Sequence, residues 1–242
     1  MKYFQQSNQL IGKMNKQKGN MYDFVTHTAN PIKGRCSHDC KYCYMKPIHE
    51  RFCLDTTLRL DNKELAENYG TGKFIFIGST TDMFANDVPS EWISSIYDKC
   101  LQSMPNKYLF QSKNPTRFLE EDLINHPLMQ NIGDIYFATT IETNRDYPLV
   151  SSAPCMSERV DAMEQLRQKG FQVMVTMEPI MDFDIDQVVA MMSRIQPSQI
   201  NIGCNTSRTA LPEPDKDKLE QLILALRTIS TVKLKSNIDR IL

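Results

Sequence analysis

Three cysteines lie close together in the sequence. They are Cys36, Cys40 and Cys43, in the spacing C-x3-C-x2-C. Cysteine thiolates on one short loop are the usual ligands of iron–sulfur clusters. Three cysteines, rather than four, leave one iron of a [4Fe–4S] cluster without a protein ligand, and that iron can bind a small chelating molecule. The motif therefore predicts a [4Fe–4S] cluster with one open coordination position.

Zinc and disulfide bonds are the alternatives for these cysteines. Structural zinc usually has four ligands in two separated pairs, and the sequence has no second C-x2-C or H-x3-H pair. His38 and His49 would have to complete a zinc site. A disulfide framework is disfavoured because the total of seven cysteines is odd and the remaining four are scattered. These four are Cys53, Cys100, Cys155 and Cys204.

The cysteine motif, with the aromatic Tyr42 directly before its last cysteine, resembles the cluster loop of the radical SAM superfamily. In that superfamily the open iron binds S-adenosylmethionine (SAM), and the reduced cluster cleaves SAM to a 5′-deoxyadenosyl radical. The resemblance implies two cofactors, a [4Fe–4S] cluster and SAM, and an electron-donor partner such as flavodoxin or ferredoxin. Tyr42 and Tyr44 either pack on the adenine or simply cover the cluster.

Apolar runs of strand length alternate with helical patterns along the chain. The predicted strands are residues 22–29, 73–78, 107–113, 135–141, 172–177 and 199–203, with a short last strand at 231–235. Helices are predicted at 61–69, from 89, from 114, and at 157–169, 184–195 and 216–229. This alternation predicts a parallel sheet of right-handed βαβ units. Because six or seven strands are too few for a closed eight-stranded barrel, we predict an α/β fold with an incomplete (β/α)6 TIM-like barrel, which the resemblance also implies.

Functional side chains of such a sheet lie at the carboxyl ends of the strands. The cysteine motif follows the first predicted strand, and polar residues follow the next five. The candidates at these ends are Gly78, Ser79, Thr80, Lys113, Glu142, Glu178 and Cys204. Carboxylates and a lysine in a dry site need polar or charged partners. SAM supplies such partners with its amino acid head, ribose and sulfonium.

We therefore assign roles in cofactor binding to these residues. Residues 78–80 offer donors to the methionine half of SAM, and Lys113 pairs with its carboxylate. Glu142 accepts a hydrogen bond from a ribose hydroxyl or from an ammonium group. Glu178 binds either SAM or the substrate.

Cys204 is a candidate catalytic residue. A thiol S–H bond is weak enough to give a hydrogen atom to a carbon radical, and the end of a central strand would face that radical. The alternative is a buried cysteine that acts only as a small apolar residue.

A wider resemblance covers most of the chain. Blocks at 29–32, 79–89, 112–115, 140–142 and 177–179 are similar to those of phage-type radical SAM proteins of the Gp37/Gp68 kind, a family without an established reaction. That family usually has a longer insert in the cysteine loop and a Gly-Gly-Glu block after its last strand. Here the loop is compact and Gly-Cys-Asn-Thr takes that place, so we expect different substrate handling near this strand.

Composition and charge limit the remaining possibilities. The 242 residues can form one substantial core, and we predict a polar extension at 1–20 and a single domain at 21–242. The formal net charge of −1 gives no global attraction for nucleic acid. Because the sequence has neither a signal-like start nor an apolar run of roughly 18 residues, we predict a cytoplasmic protein without membrane contact.

Two functions are consistent with these patterns. The first is a radical SAM enzyme that abstracts hydrogen from an unidentified substrate, and an incomplete barrel would admit a macromolecule such as a nucleic acid or a protein. The second is a non-catalytic binding module that a metal or a cluster stabilises. In the second case the strand-end carboxylates would be dispensable.

Overall fold

The structure is a computed structural model that describes residues 14–17, 22–147 and 149–242. Of the predicted extension at 1–20, it describes only 14–17, where Met14 is buried and the next two residues form a short strand. The rest of that predicted extension lies outside the described residues. Within the described ranges, none of the helices has the length and apolar character needed to cross a membrane.

Short and medium strands alternate with helices along the described chain. The strands are β1 (Asn15–Lys16), β2 (His27–Ala29), β3 (Ile32–Lys33), β4 (Arg59–Leu60), β5 (Phe74–Ile77), β6 (Lys107–Gln111), β7 (Ile135–Thr140), β8 (Gln172–Met177), β9 (Gln199–Ile202) and β10 (Thr231–Leu234). The α-helices are α1 (Met45–Phe52), α2 (Asn62–Leu65), α3 (Ser90–Gln102), α4 (Glu121–Ile124), α5 (Met156–Gln168), α6 (Ile185–Ile195) and α7 (Lys216–Leu226). Four 3₁₀ helices occur among the described residues, at Pro115–Leu119, Pro127–Gln130, Ile132–Asp134 and Ser236–Arg240.

The main sheet of the described residues has eight strands in the order β1-β2-β5-β6-β7-β8-β9-β10. Strands β2 and β5 to β10 are parallel, and β1 pairs antiparallel with β2. A separate antiparallel pair, β3 and β4, brackets the cysteine loop and α1. Since β10 and β1 stand at opposite ends of this order, the sheet is an open arc. The predicted incomplete parallel barrel is confirmed.

Both faces of the central strands are buried. On β5, Ile75 and Ile77 belong to the large core that also contains the apolar residues of the helices, whereas Phe76 belongs to a smaller cluster on the other face. We call this smaller group the inner cluster; it comprises Tyr22, Val25, Phe76, Leu109, Ala138 and Met174. Burial on both faces explains why these strands are continuous apolar runs in the sequence.

The first strand and the helices predicted at 61–69 and 216–229 are shorter than predicted. The last of these helices, α7, ends at Leu226. Strand β2 contains only the last three residues of the predicted strand 22–29, because residues 22–25 turn, with the Val25 N–H donating to the Tyr22 carbonyl (3.1 Å). Both side chains then join the inner cluster. The helix predicted at 61–69 is limited to α2, and the helix predicted from 114 begins as a 3₁₀ helix.

Side chains link the last strand to the segment before β2. Lys233 Nζ on β10 lies 3.3 Å from Asp23 Oδ2, and Lys235 Nζ lies 4.6 Å from the ring centroid of Tyr22. We call these two contacts the seam. They bring the two sides of the open arc together without backbone pairing between β10 and β2.

Candidate functional site

A cavity of about 550 Å³ lies at the carboxyl ends of the parallel strands. Tyr22 and Phe76 of the inner cluster line it. Most of the predicted site residues also line it: Cys36, Cys40, Tyr42, Cys43, Gly78, Ser79, Thr80, Lys113, Glu178 and Cys204. The volume is in the range of small-molecule and cofactor sites. Glu142 is not among the lining residues, and it is buried.

The cysteine loop is held by contacts with distant segments. The Ser37 hydroxyl donates to Asp87 Oδ1 (2.7 Å), and the Lys41 N–H donates to the Val150 carbonyl (2.9 Å). The loop begins after Gly34, which has a φ of +100° and would place a Cβ only 2.4 Å from the carbonyl oxygen of Thr57. A glycine is therefore required at the entrance to the loop.

Asp82 ties the cysteine loop to the end of β6. It accepts hydrogen bonds from the Ser112 hydroxyl (3.0 Å) and the Lys113 N–H (2.9 Å), and its Oδ2 lies 3.0 Å from Nε2 of His38. Burial raises the pKa of Asp82, but His38 and the backbone donors outweigh burial and hold the pKa below its ordinary value. Burial, with Asp82 adding to it, raises the pKa of the Cys36 thiol to about 12. The sequence places Asp82 in a polar run but gives no sign of these partners.

The turn after β5 is fixed by Asn30. The Asn30 side-chain oxygen accepts hydrogen bonds from the Ser79 hydroxyl (3.0 Å) and the Thr80 N–H (3.0 Å). The Tyr44 hydroxyl donates to the Ser79 carbonyl (2.7 Å), and Gly78 has a left-handed φ of +81°. Two of the donors predicted to bind the methionine half of SAM, the Ser79 hydroxyl and the Thr80 N–H, are thus engaged within the protein. A ligand would have to replace Asn30 as their acceptor.

Glu142 lies at the centre of a buried ionic network. Its carboxylate accepts hydrogen bonds from the Lys113 ammonium and the Tyr42 hydroxyl, and its Oε2 lies 2.9 Å from Nη1 of Arg159. Arg159 is only 2% exposed and also donates to the Thr140 carbonyl (2.8 Å). We call these residues the Glu142 network. It connects the cysteine loop, through Tyr42, to the ends of β6 and β7 and to α5.

The Glu142 network contains two cations and one carboxylate. Burial alone would raise the pKa of Glu142, but the charges of Lys113 and Arg159 prevail and lower it from 4.5 to about 2. Glu142 is therefore ionised at neutral pH. The network then has a formal surplus of one positive charge beside the cavity.

We expect acid to remove the stabilising contribution of Glu142. A carboxyl group with a lowered pKa stabilises the folded state above its unfolded pKa of 4.5, and this contribution is lost as the pH falls through about 2. The measurement is urea denaturation of metal-free wild type and Glu142→Gln at neutral pH and at about pH 3. The difference in unfolding free energy between the two proteins should shrink in acid. An unchanged difference would contradict the expectation.

The opposite side of the cavity is built from β8, β9 and the segment after β10. Glu178 lies 2.9 Å from Lys235 (Oε2 to Nζ) and accepts a hydrogen bond from the Asn237 side chain (2.9 Å). The Cys204 thiol donates to the Asn237 carbonyl (2.6 Å). A Cβ on Gly203 would approach Glu178 Oε1 to 2.7 Å. Lys235 and Asn237 have no motif around them, and only the folded chain reveals them.

The donor set fits an iron–sulfur cluster better than a single metal ion. Within the part of the chain that the structure describes, no three His, Cys, Asp or Glu residues are grouped to hold one ion. In a cluster each thiolate binds a different iron, so the sulfurs need not converge on one point. His38 contacts Asp82 and His49 is buried on α1. The arrangement therefore gives no support to the zinc alternative.

Solved structures with the same architecture identify the class of fold. Spore photoproduct lyase complexed with dinucleoside spore photoproduct matches with a TM-score of 0.63 and 11% identity, over 93% of this chain and 79% of that chain. A double mutant of the lyase with bound AdoMet and the dinucleoside matches at 0.62 and 10%, over 89% and 78%. SuiB of Streptococcus suis bound to S-adenosylmethionine matches at 0.55 and 10%, over 86% and 46%. The chain therefore has the fold of radical SAM enzymes.

Within this fold class, the chain belongs to the family described as "Protein of unknown function (DUF5131)". The family profile matches residues 20–188, which include the cysteine loop and the Glu142 network but not Cys204 or Lys235. A search of curated proteins found no match. The resemblance to phage-type proteins of the Gp37/Gp68 kind stays a prediction.

Proposed function

We propose that this protein is a radical SAM enzyme. The supporting observation is the position of three thiols, Cys36, Cys40 and Cys43, on the wall of a cavity of about 550 Å³. The cavity lies at the carboxyl ends of parallel strands, where barrels of this kind have their active sites. In the proposed enzyme the three cysteines bind a [4Fe–4S] cluster, and the cavity binds SAM.

When bound by these cysteines and reduced, the cluster would supply one electron for cleavage of SAM to methionine and a 5′-deoxyadenosyl radical, which would abstract hydrogen from the substrate. The residues of the chain bind and orient the reactants. Lys113 has its Nζ 4.5 Å from the ring centroid of Tyr42 and lines the cavity. Because Glu142 is shared by two cations, the network retains positive charge for the carboxylate of SAM. Glu142, which is buried and does not line the cavity, then acts by holding Lys113 and Tyr42. The hydrogen bond from SAM that the sequence predicts for Glu142 would require these partners to move.

Residues 78–80 contribute the turn that faces the cluster loop and bind the methionine half of SAM. On the opposite side, Glu178 binds the SAM ribose or the substrate. The Cys204 thiol lines the cavity and hydrogen-bonds the Asn237 carbonyl. Rotation of this side chain would aim its S–H at a substrate radical, so we assign Cys204 as a hydrogen-atom donor.

A nucleic acid is the first substrate class to test. Three of the similar structures are of spore photoproduct lyase with a dinucleoside, and the open arc offers access to a large molecule. A residue of a protein substrate is the alternative. The electron would come from a cellular carrier such as flavodoxin or ferredoxin.

Formation of 5′-deoxyadenosine tests the proposal. We expect anaerobically reconstituted wild type to bind about four iron atoms per chain and to release 5′-deoxyadenosine from SAM with dithionite. A variant with Cys36, Cys40 and Cys43 replaced by alanine should do neither. Cys53→Ala, which changes an exposed cysteine outside the motif, should behave as wild type.

Two outcomes would contradict the proposal. Release of 5′-deoxyadenosine by the triple alanine variant would show that these cysteines do not hold the reactive cluster. A brown wild-type protein that neither binds SAM nor releases 5′-deoxyadenosine would instead indicate the non-catalytic module.

A further inference from the structure

Helix α1, which directly follows the cysteine loop, has large apolar side chains exposed along one side. Tyr44, Ile48 and Phe52 are spaced by four residues, which places them along one face of the helix. Tyr44 is 53% exposed and Phe52 is 60% exposed, and Ile48 between them is half-buried. Leu54, just after the helix, is 45% exposed. A row of exposed large apolar side chains marks a surface for contact with another molecule.

The same segment is basic. Residues 33–59 contain six Lys and Arg residues and three Asp and Glu residues, a net charge of +3 in a chain of net charge −1. The pairs of Lys46 with Asp39 and Arg59 with Asp55 are already counted in this net charge. Lys33 pairs with Glu64, which lies outside the segment, so a surplus of +2 remains after the exposed Glu50 of α1 is included. Three exposed basic residues have no ion pair within the described ranges: Arg35, Lys41 and Arg51. We call these residues, with Tyr44, Phe52 and Leu54, the α1 face.

The α1 face lies next to the cluster ligands. Tyr44 lines the cavity, but the other residues of the face do not. Tyr44 directly follows Cys43 in the sequence, whereas none of residues 45–60 lines the cavity. A substrate must enter the cavity to meet the radical. A molecule that only delivers an electron needs to approach the cysteine loop and can do so from outside.

We propose that the α1 face docks an acidic electron-carrier protein, an inference that rests on the proposed function. One electron passes from the reduced carrier to the oxidised cluster, so the carrier is oxidised by one electron and no atom is transferred. Basic side chains attract the acidic carrier and orient it. The exposed aromatic side chains provide the short-lived apolar contact. Redox complexes of this kind bury little surface, less than about 1,200 Å².

A nucleic acid would also be attracted by the positive charge. Proteins contact phosphate groups, however, through Arg, Lys and polar groups. Binding of a nucleic acid backbone would therefore not explain the exposure of Phe52 and Leu54. The combination of charge with an apolar helix face favours a protein partner. Binding of DNA is therefore a competing outcome of the test.

The test compares two variants that each combine a charge reversal with the removal of an exposed large apolar side chain, at different places on the surface. The first combines Arg51→Glu with Phe52→Ala on the α1 face. The control combines Arg227→Glu with Leu224→Ala at the end of α7, where Leu224 and Arg227 are also exposed. Each protein is assayed for release of 5′-deoxyadenosine with reduced flavodoxin, an acidic one-electron carrier, and separately with dithionite, which needs no docking surface.

We expect the α1 variant to lose about tenfold in rate with flavodoxin at subsaturating concentration, since interface aromatics contribute more than about 1 kcal/mol. Its rate with dithionite should equal that of wild type. Direct titration of flavodoxin on the cluster-free chain should show a similar weakening of binding, and salt should weaken binding to wild type. The control variant should match wild type in every assay.

Other results would overturn the docking proposal. An unchanged rate and affinity for flavodoxin would do so, as would an equal loss in the α7 control or with dithionite. Weaker binding of a DNA duplex by the α1 variant, with flavodoxin binding intact, would assign the face to nucleic acid. If wild type releases no 5′-deoxyadenosine with either reductant, the proposed function fails, and the titration alone then decides whether the α1 face binds the carrier.

Discussion

Glu142→Gln is expected to lower the free energy of unfolding of the metal-free protein by about 3–5 kcal/mol, the usual cost of removing one partner from a buried ion pair. The side chain is 3% exposed and is the carboxylate that Lys113 and Arg159 share. An amide cannot neutralise either cation, and its NH2 group would face other donors. The measurement is urea denaturation at neutral pH under reducing conditions.

A surface ion pair provides the control for this substitution. Glu164 pairs with Arg194, and 28% and 49% of their side chains are exposed. Glu164→Gln makes the same chemical change, but water compensates the lost charge, so we expect a cost below about 1 kcal/mol. If the two substitutions cost the same, the Glu142 network is not the buried electrostatic unit described above.

Gly34→Ala is expected to destabilise the protein by about 2–6 kcal/mol and to prevent stable incorporation of iron. Backbone strain at the left-handed φ of +100° costs about 1–3 kcal/mol. The approach of the new Cβ to 2.4 Å from the Thr57 carbonyl oxygen forces a backbone shift that costs a similar amount, about 1–3 kcal/mol. Because Cys36 follows two residues later, this shift displaces the cysteine loop. Denaturation of the metal-free protein and iron content after reconstitution measure the two effects.

Gly133→Ala separates the geometry of Gly34 from the general effect of replacing glycine. A Cβ at Gly133 would meet no atom within 4 Å, and its φ is not left-handed. This variant should be as stable as wild type, to within about 1 kcal/mol, and should bind iron normally. Wild-type iron content in Gly34→Ala would show that the loop tolerates the shift and would contradict the prediction.

The sequence was sufficient to predict the parallel open arc. The apolar runs at residues 73–78 and 172–177 have the composition that is typical of strands buried on both faces. They form β5 and β8. The length of the first strand was overestimated because Tyr22 and Val25 are residues of the kind that strands contain. Their turn into the inner cluster depends on Phe76 and other strands far along the chain, which local pattern does not reveal.

The sequence predicted those residues of the candidate site that directly follow a parallel strand. The cysteines, Lys113, Glu178 and Cys204 all line the cavity because residues after parallel strands share one edge of a sheet. The partners of these residues were not predictable. Arg159 lies on a helix, where a charged residue normally indicates a solvated face, and its burial depends on Glu142. Such pairings arise from tertiary packing, and no local sequence signal marks them.

The open arc leaves the outer edge of β10 without a strand partner among the described residues. An unpaired edge can template strand addition by another molecule, and natural proteins counter this hazard with short edge strands and exposed lysines. Strand β10 has four residues, and Lys233, in its middle, has a side chain that is 51% exposed. Lys233, which pairs with Asp23 in the seam, therefore also protects the sheet against edge-to-edge aggregation.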